Sequence, residues 1–491
     1  MGPDAITRPC RVMYTAAVVA DANRAVAPGA ILIEAHADGS LEVLAAGSPT
    51  DVASHPGAQP GAAGPTRIDL PTHAILPAFV NAHTHLDLTH VGYVPPATTP
   101  GERFLRFIEL VRASRAQDDA GIRASVEAGV LASRDGGVVA VGDIAGATQA
   151  RPNLAAARAL NQSDLGGVSF FEFFAIGTRE DASRDFTQAT LDEALADDSS
   201  AGSARVRRVG LSPHATNTVG PTTLRWALET AAASGLPLCT HVAETIPERE
   251  LIAHARGPSR AFLESLGLWN AALDQELGQG RTSIAHLAWA IEGARLEDAG
   301  LNTPATWVLA HCNDVTDADL DLLQALSATI NLTVAYCPRA SAYFAAPELI
   351  GPHRYREMLD RGINVALGTD SVINLPPIPG EAGTRLSPIW DARLLRRRDA
   401  TDPATLLAML TTRAARALTL DPRCFTLWGS IEATQYAGRR AAERAGQCAG
   451  LVGVQIGAGA GSGAELLARA FDGSAPPQLL LAGNPCCPAE H

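Results

Sequence analysis

Eight short apolar runs recur between residues 75 and 367 of this chain, and most are followed by a stretch of helical periodicity. They are Ile75–Val80, Val138–Ile144, Gly167–Phe174, Val206–Leu211, Leu236–Thr240, Trp307–Ala310, Leu332–Tyr336 and Ile363–Leu367. Near-continuous apolar runs of this length, rather than alternating ones, fit strands buried on both faces. Between them, Glu102–Ser114 carries Phe104, Phe107, Ile108 and Val111 at helical spacing, and Gly121–Ser133, Thr223–Ala233, Asp317–Leu326 and Tyr355–Arg361 read as further helices. Strand–helix alternation requires a parallel sheet covered by helices. Eight repeats whose strands end in polar clusters predict an α/β fold, a (β/α)8 TIM-type barrel.

At 491 residues the chain is too long for one ordinary core, so a barrel of 71–420 is expected to carry a smaller unit. Residues 1–70 hold short strand-like runs (Val12–Val19, Ile31–Glu34, Leu41–Ala46) with a turn at Asp38-Gly39, which suits a small β module. In 421–491, Leu451–Ile456 and Gln478–Leu481 read as strands flanking a helix over Ala464–Ala470. A net charge of −13 argues against a nucleic-acid surface. No run approaches the length of a membrane span and no cleavable leader is legible, so a cytoplasmic protein with no membrane partner is expected. The eight cysteines form no CxxC spacing and do not look like a disulfide framework. The chain contains no lysine, and all 39 of its Lys-plus-Arg residues are arginine. Schiff-base chemistry, a P-loop and a lysine-carbamate bridge between two metals are thereby excluded.

In such a barrel the C-terminal strand ends converge on one mouth. His83 and His85 stand two apart at the end of the first run, so a persisting strand period sends both imidazoles to one face. His214 follows the fourth run, His241 the fifth, His311 the sixth and Asp370 the eighth. Imidazoles and a carboxylate so gathered make a donor set for a divalent cation. A lone HxH, by contrast, arises often by chance. In HVAET, Glu244 lies three residues after His241, which suits a proton-transfer carboxylate beside a ligand; it equally suits a first-turn helix acid. His36, His55, His73, His90, His254, His286, His353 and His491 are read as surface or structural.

The segments PAFVNAHTHLDLTH, VGDI, GLSPHATNTV, HVAET, AHCNDVTD, CPRASAYF and LGTDS together resemble the amidohydrolase superfamily, in its branch of nucleoside-type deaminases and triazine chlorohydrolases. The resemblance covers about 72–420 in family order. It implies a barrel bearing a small composite β-sandwich built from both chain termini. Carried over, it makes His83, His85, His241 and Asp370 the ligands of one divalent ion, Zn²⁺ with Fe²⁺ as the alternative. It makes Glu244, His311 and Asp370 catalytic: Glu244 as proton shuttle, His311 beside the attacking water, Asp370 also as a proton acceptor. The missing lysine agrees with a single-metal site. His214, Asp87 and Arg339 are implied substrate-binding residues. The loop after His214 departs from the family at Thr216-Asn217, where Pro-Tyr is usual, and Asp87 stands where some members carry Glu. The implied activity is hydrolytic deamination of an aminated heterocycle, a 6-aminopurine nucleoside of the aminofutalosine or adenosine kind, with release of ammonia. A guanine or triazine deaminase, a chlorohydrolase and a non-catalytic barrel scaffold are the alternatives. The expected partner is a small-molecule substrate, with a homo-oligomer left open.

Overall fold

The molecule, a computed structural model, is described over residues 10–59, 64–200, 207–294, 304–378, 386–428 and 446–483. Two sheets organise these residues. The first is mixed and draws on both chain ends: β1 (Cys10–Ala20), β2 (Ala25–Val26), β3 (Gly29–Ala35), β4 (Leu41–Gly47) and β5 (Thr66–Pro77) precede the second sheet in sequence. The second is parallel and runs in sequence order through β6 (Phe79–Thr84), β7 (Val138–Ala145), β8 (Gly166–Phe173), β9 (Arg207–Pro213), β10 (Leu238–Val242), β11 (Thr306–His311), β12 (Asn331–Tyr336) and β13 (Asn364–Leu367). The chain then returns to the mixed sheet as β14 (Gln447–Cys448), β15 (Gly450–Gln455) and β16 (Pro477–Ala482). The mixed sheet has the order β14-β4-β3-β1-β5-β15-β16, with β2 against β1.

Period-two alternation explains how the mixed sheet buries both faces. Along β3, Ile31, Ile33 and Ala35 join Tyr14, Ala16 and Leu451 in one apolar cluster. Their neighbours Ala30 and Leu32 join Met13, Val52 and Ala58 in another. The barrel is thus accompanied by a curled sheet made from both termini, the architecture expected.

The seam between the two sheets falls inside a run read from sequence as one strand. Ile75, Leu76 and Pro77 finish β5 and pair with β15, whereas Phe79 opens β6 and pairs with β7. Pro77 has no N–H to extend the ladder. The next two amides then part company: Ala78 N donates to Gly450 O at 2.9 Å and Phe79 N to Gly137 O at 2.9 Å, so one goes to each sheet. Apolar character alone cannot reveal such a handover, because both segments are fully buried.

The barrel closes where its first and last strands meet. Thr369 N and Asp370 N both donate to His83 O, at 3.0 and 3.1 Å. The Asn81 amide group donates to Thr369 Oγ1 at 2.8 Å and accepts from Thr369 N at 3.1 Å. The polar residues of the eighth strand end are therefore fixed to the first. Among the described residues no helix is long and apolar enough to cross a membrane. Cys10, Cys239, Cys312, Cys337 and Cys448 are free thiols, while Cys424 is disulfide-bonded, a bond for which the spacing gave no signal. Most of the stretch 426–450 lies outside the described residues, as do Val206 and His491.

Candidate active site

His83 is the fifth residue of β6 and is fully buried; His85 follows the strand end and is almost so. Their rings meet at right angles with centroids 5.1 Å apart. From β10, His241 brings its ring within 5.0 Å of His83 and 5.5 Å of His85. From the eighth strand end, beside the first, Asp370 sets Oδ1 3.3 Å from His85 Nε2 and 3.8 Å from His83 Nε2. His311, at the end of β11, lies 5.4 Å from His241 between ring centroids. Two of these residues hold a backbone that side-chain-bearing residues seldom adopt: φ is +73° at His311 and +58° at Asp370. Such left-handed residues each cost on the order of 1–3 kcal/mol and persist where the surroundings enforce them. Here they fall at the end of β11 and just beyond the end of β13.

The donor atoms fit a divalent cation. One ligand atom from each of His83, His85 and His241 can lie within 4.8 Å of the others, and the same holds for His83, His311 and Asp370. His83 Nε2 and His85 Nδ1 are buried with no hydrogen-bond partner, an arrangement costly for imidazoles unless something binds there. His241 Nδ1 lies 2.8 Å from His214 O, which fixes its tautomer and leaves Nε2 as the lone-pair donor. Burial pushes His83, His85 and His311 well below the usual imidazole range, so they stand neutral, as ligands must. Burial also raises Asp370 to about 7, and Asn374 Nδ2 donates to its Oδ2 at 2.5 Å. A divalent-metal-binding cluster of histidines and an aspartate is therefore present.

Gly368 is what lets the eighth strand lie against the first. A Cβ there would meet His83 Cβ and His83 O at 2.9 Å each, and Cys337 Sγ at the same distance. Gly368→Ala should push directly on the backbone of His83. The expected outcome is a lower melting temperature and less than about one ion per chain by elemental analysis, whereas unchanged metal content would show that the seam can yield.

Glu244 follows β10 and sets Oε1 3.5 Å from His311 Nε2. Burial first, then Asp370 and Glu248, raise its carboxyl well above the ordinary range. His353, read from sequence as structural, lies behind His311: its Nε2 is 2.8 Å from His311 O, and its ring stacks on Tyr336.

Of the residues implied to touch substrate, His214 joins the cluster: its ring is 5.0 Å from His241, lies tilted against Phe174 at 4.4 Å and is partly exposed. Asp87 and Arg339 do not. Asp87 is 1% exposed and faces Arg115, with Arg115 Nε 3.3 Å from its Oδ2. Arg339 pairs with buried Asp391 at 2.7 Å and donates to Ser387 O at 3.1 Å. Two groups went unread in the sequence, Arg115 and Glu172, the latter with a carboxylate oxygen within 4.8 Å of nitrogens of both His214 and His241. Arg115 Nη1 donates to Glu172 Oε2 at 3.1 Å, and Glu172 Oε1 lies 3.9 Å from His214 Nε2. Burial alone would raise the Glu172 carboxyl, but the Arg115 guanidinium brings it down to about 2. Glu172 could have been found, since it is an acid at the end of a barrel strand. Arg115 carries no such signal, because it follows the helix Arg103–Ser114 and resembles any helix-end arginine.

Comparison with known proteins agrees with this geometry. Residues 74–437 match the model of the amidohydrolase family. An aminodeoxyfutalosine deaminase of Deinococcus radiodurans is 26% identical over 396 residues, covering 74% of this chain and 75% of that protein. A 5-methylthioadenosine/S-adenosylhomocysteine deaminase of Moorella thermoacetica is 30% identical over 233 residues, 46% of this chain and 43% of its own length. That match therefore spans less than half of the relative. In three dimensions the chain resembles the crystal structure of the Helicobacter pylori aminofutalosine deaminase in complex with methylthio-coformycin, with a TM-score of 0.69 and 16% identity over 96% of this chain and 99% of that one. At that identity the likeness is one of fold.

Proposed function

Because the chain belongs to the amidohydrolase family and is a hydrolytic, C–N bond-cleaving enzyme, we propose that it deaminates a 6-aminopurine nucleoside, of the aminofutalosine or methylthioadenosine kind. The observation that carries this reading is the carboxylate of Glu244, buried 3.5 Å from His311 Nε2 beside a cluster of imidazoles and Asp370. The deaminase relatives support the choice of substrate class.

His83, His85, His241 and Asp370 would hold the ion, for which we propose Zn²⁺. Bound there, a divalent cation supplies the positive charge that makes water acidic near neutral pH. The residues do the rest. Asp370 accepts the proton that the attacking water gives up. His311 orients that water towards the ring carbon bearing the amine. Glu244, protonated because it is buried, donates to the adjacent ring nitrogen, collects a second proton from the hydroxyl of the adduct and passes it to the departing amine; the proton held by Asp370 then restores Glu244. Water adds, ammonia leaves, and the ring keeps a carbonyl. We assign contact with the nucleoside to His214, whose partly exposed ring lies against Phe174.

The test is ammonia release from adenosine, 5′-methylthioadenosine, S-adenosylhomocysteine and aminodeoxyfutalosine by zinc-loaded protein, with guanine and a triazine as comparators. Release from at least one nucleoside at kcat/KM of about 10⁴ M⁻¹s⁻¹ or more is expected. Silence across the nucleosides, or preference for guanine or the triazine, would move the substrate elsewhere.

A further inference from the structure

Glu248, four residues beyond Glu244, is a buried carboxylate that the chemistry above does not use. We propose that Glu248 is a positioning residue that fixes where the Glu244 carboxylate can reach, and that Thr216 couples it to the loop carrying His214. The proposal rests on the reading of Glu244 as the proton carrier.

Glu248 is 3% exposed, and both its oxygens are engaged. Oε1 accepts from Ala243 N and from Thr216 Oγ1, each at 2.8 Å, and Oε2 accepts from Glu244 N at 2.8 Å. The two amides it holds belong to the turn by which the chain leaves β10. Ala243 sits there at φ +55°, a conformation that a residue with a side chain keeps only under constraint. The carbonyl side of the turn is held as well. Ala243 O accepts from Asp314 N at 2.9 Å, and Glu244 O accepts from Asn313 Nδ2 at 3.1 Å. Asn313 is itself oriented by Ser341 Oγ, which donates to its Oδ1 at 2.7 Å. With N–H and C=O of both residues fixed, the Glu244 side-chain torsions are the freedom that remains. A shuttle must swing between ring nitrogen and leaving amine about a fixed root, and this clamp supplies the root.

A plain helix cap does not need this arrangement. The helix Ile246–His254 already has Thr245 as N-cap, its side chain accepting from Glu248 N. Burying a carboxylate there is costly, and what it gains is the orientation of the Ala243 and Glu244 amides. Thr216, one of the two departures from the family pattern after His214, donates to the same group, as does the Ser283 side chain. The Thr216 bond ties the fourth strand's loop to the fifth's, so the residue that meets the substrate and the one that protonates it are set by one carboxylate.

A double-mutant cycle tests this. Glu248→Gln replaces one acceptor by a donor that faces an N–H, at nearly constant shape. In the wild-type background kcat should fall by about 10–100-fold with KM within about threefold and bound metal unchanged. In the Glu244→Gln background the same change should alter kcat by less than about twofold, because nothing is left to position. Thr216→Val should give a smaller loss, about threefold or more, with the same dependence on Glu244. The substrate is 5′-methylthioadenosine or aminodeoxyfutalosine, whichever is turned over faster. Equal losses in both backgrounds, or loss of metal with Glu248→Gln, would overturn the proposal while leaving the role of Glu244 intact. A silent Glu244→Gln would overturn both. If Glu248→Gln does not fold, the Thr216→Val cycle decides alone.

Discussion

Glu244→Gln is expected to lower kcat by about 10²–10⁴-fold while leaving metal content and thermal stability near those of the parent. The amide keeps the volume of the carboxyl, so no cavity opens in a site where Glu244 is only 9% exposed. What it loses is the ability to collect a proton and return it. Glu244 lies 3.5 Å from His311 Nε2 and outside the histidine and aspartate groups whose donor atoms converge. Metal should therefore stay at about one per chain. If Glu244 served only as an acid preceding a helix, the substitution would cost roughly 0.3–1 kcal/mol of stability and leave turnover alone. Steady-state kcat and elemental analysis on the same preparation separate the outcomes. Near-parental kcat, or loss of the ion, would remove Glu244 from the role given to it.

His241→Ala, three residues earlier, should fail in a different way. The His241 ring lies within 5.5 Å of His83, His85 and His311, and its Nδ1 is held 2.8 Å from His214 O. Truncation removes a donor from the cluster and opens a polar cavity between the remaining rings. Bound metal and turnover are expected to fall together, with occupancy well under about one ion per chain and added zinc restoring part of the activity at most. The melting temperature should also drop, because a bound ion stabilises only the folded state, by RT ln(1 + [L]/Kd). His241→Ala protein that keeps its full complement of ion would place the metal on other residues.

The regularity of the barrel was legible because a buried parallel strand must be apolar on both faces, and that leaves an unmistakable run of residues. The boundaries of β7, β8, β12 and β13 fall within one residue of those runs. The first run misled for the same reason: Ile75–Pro77 and Phe79–Val80 are buried alike, and the seam at Ala78 is visible only in where two successive amides send their hydrogens. The histidines at strand ends were legible as well, since few structural demands place so many imidazoles directly after apolar runs. Asp87 and Arg339 were not. Whether a polar side chain faces a pocket or a partner depends on what the rest of the chain places opposite it, and here those partners are Arg115 and Asp391.

The residue pattern by itself determined the strand–helix repeat, the lack of a lysine bridge and the set of imidazoles and carboxylates available at one end of the barrel. These follow from side-chain chemistry and period, which are local properties. The tertiary structure alone decided how the acids at strand ends divide their tasks. Asp370 turns to His85 through a left-handed backbone, Glu172 turns to Arg115, 57 residues away, and Asp143 accepts from Leu86 N at 2.9 Å. Each direction is set by a partner distant in sequence, and for Asp370 by a backbone torsion as well, and neither is encoded in the neighbours of the residue itself.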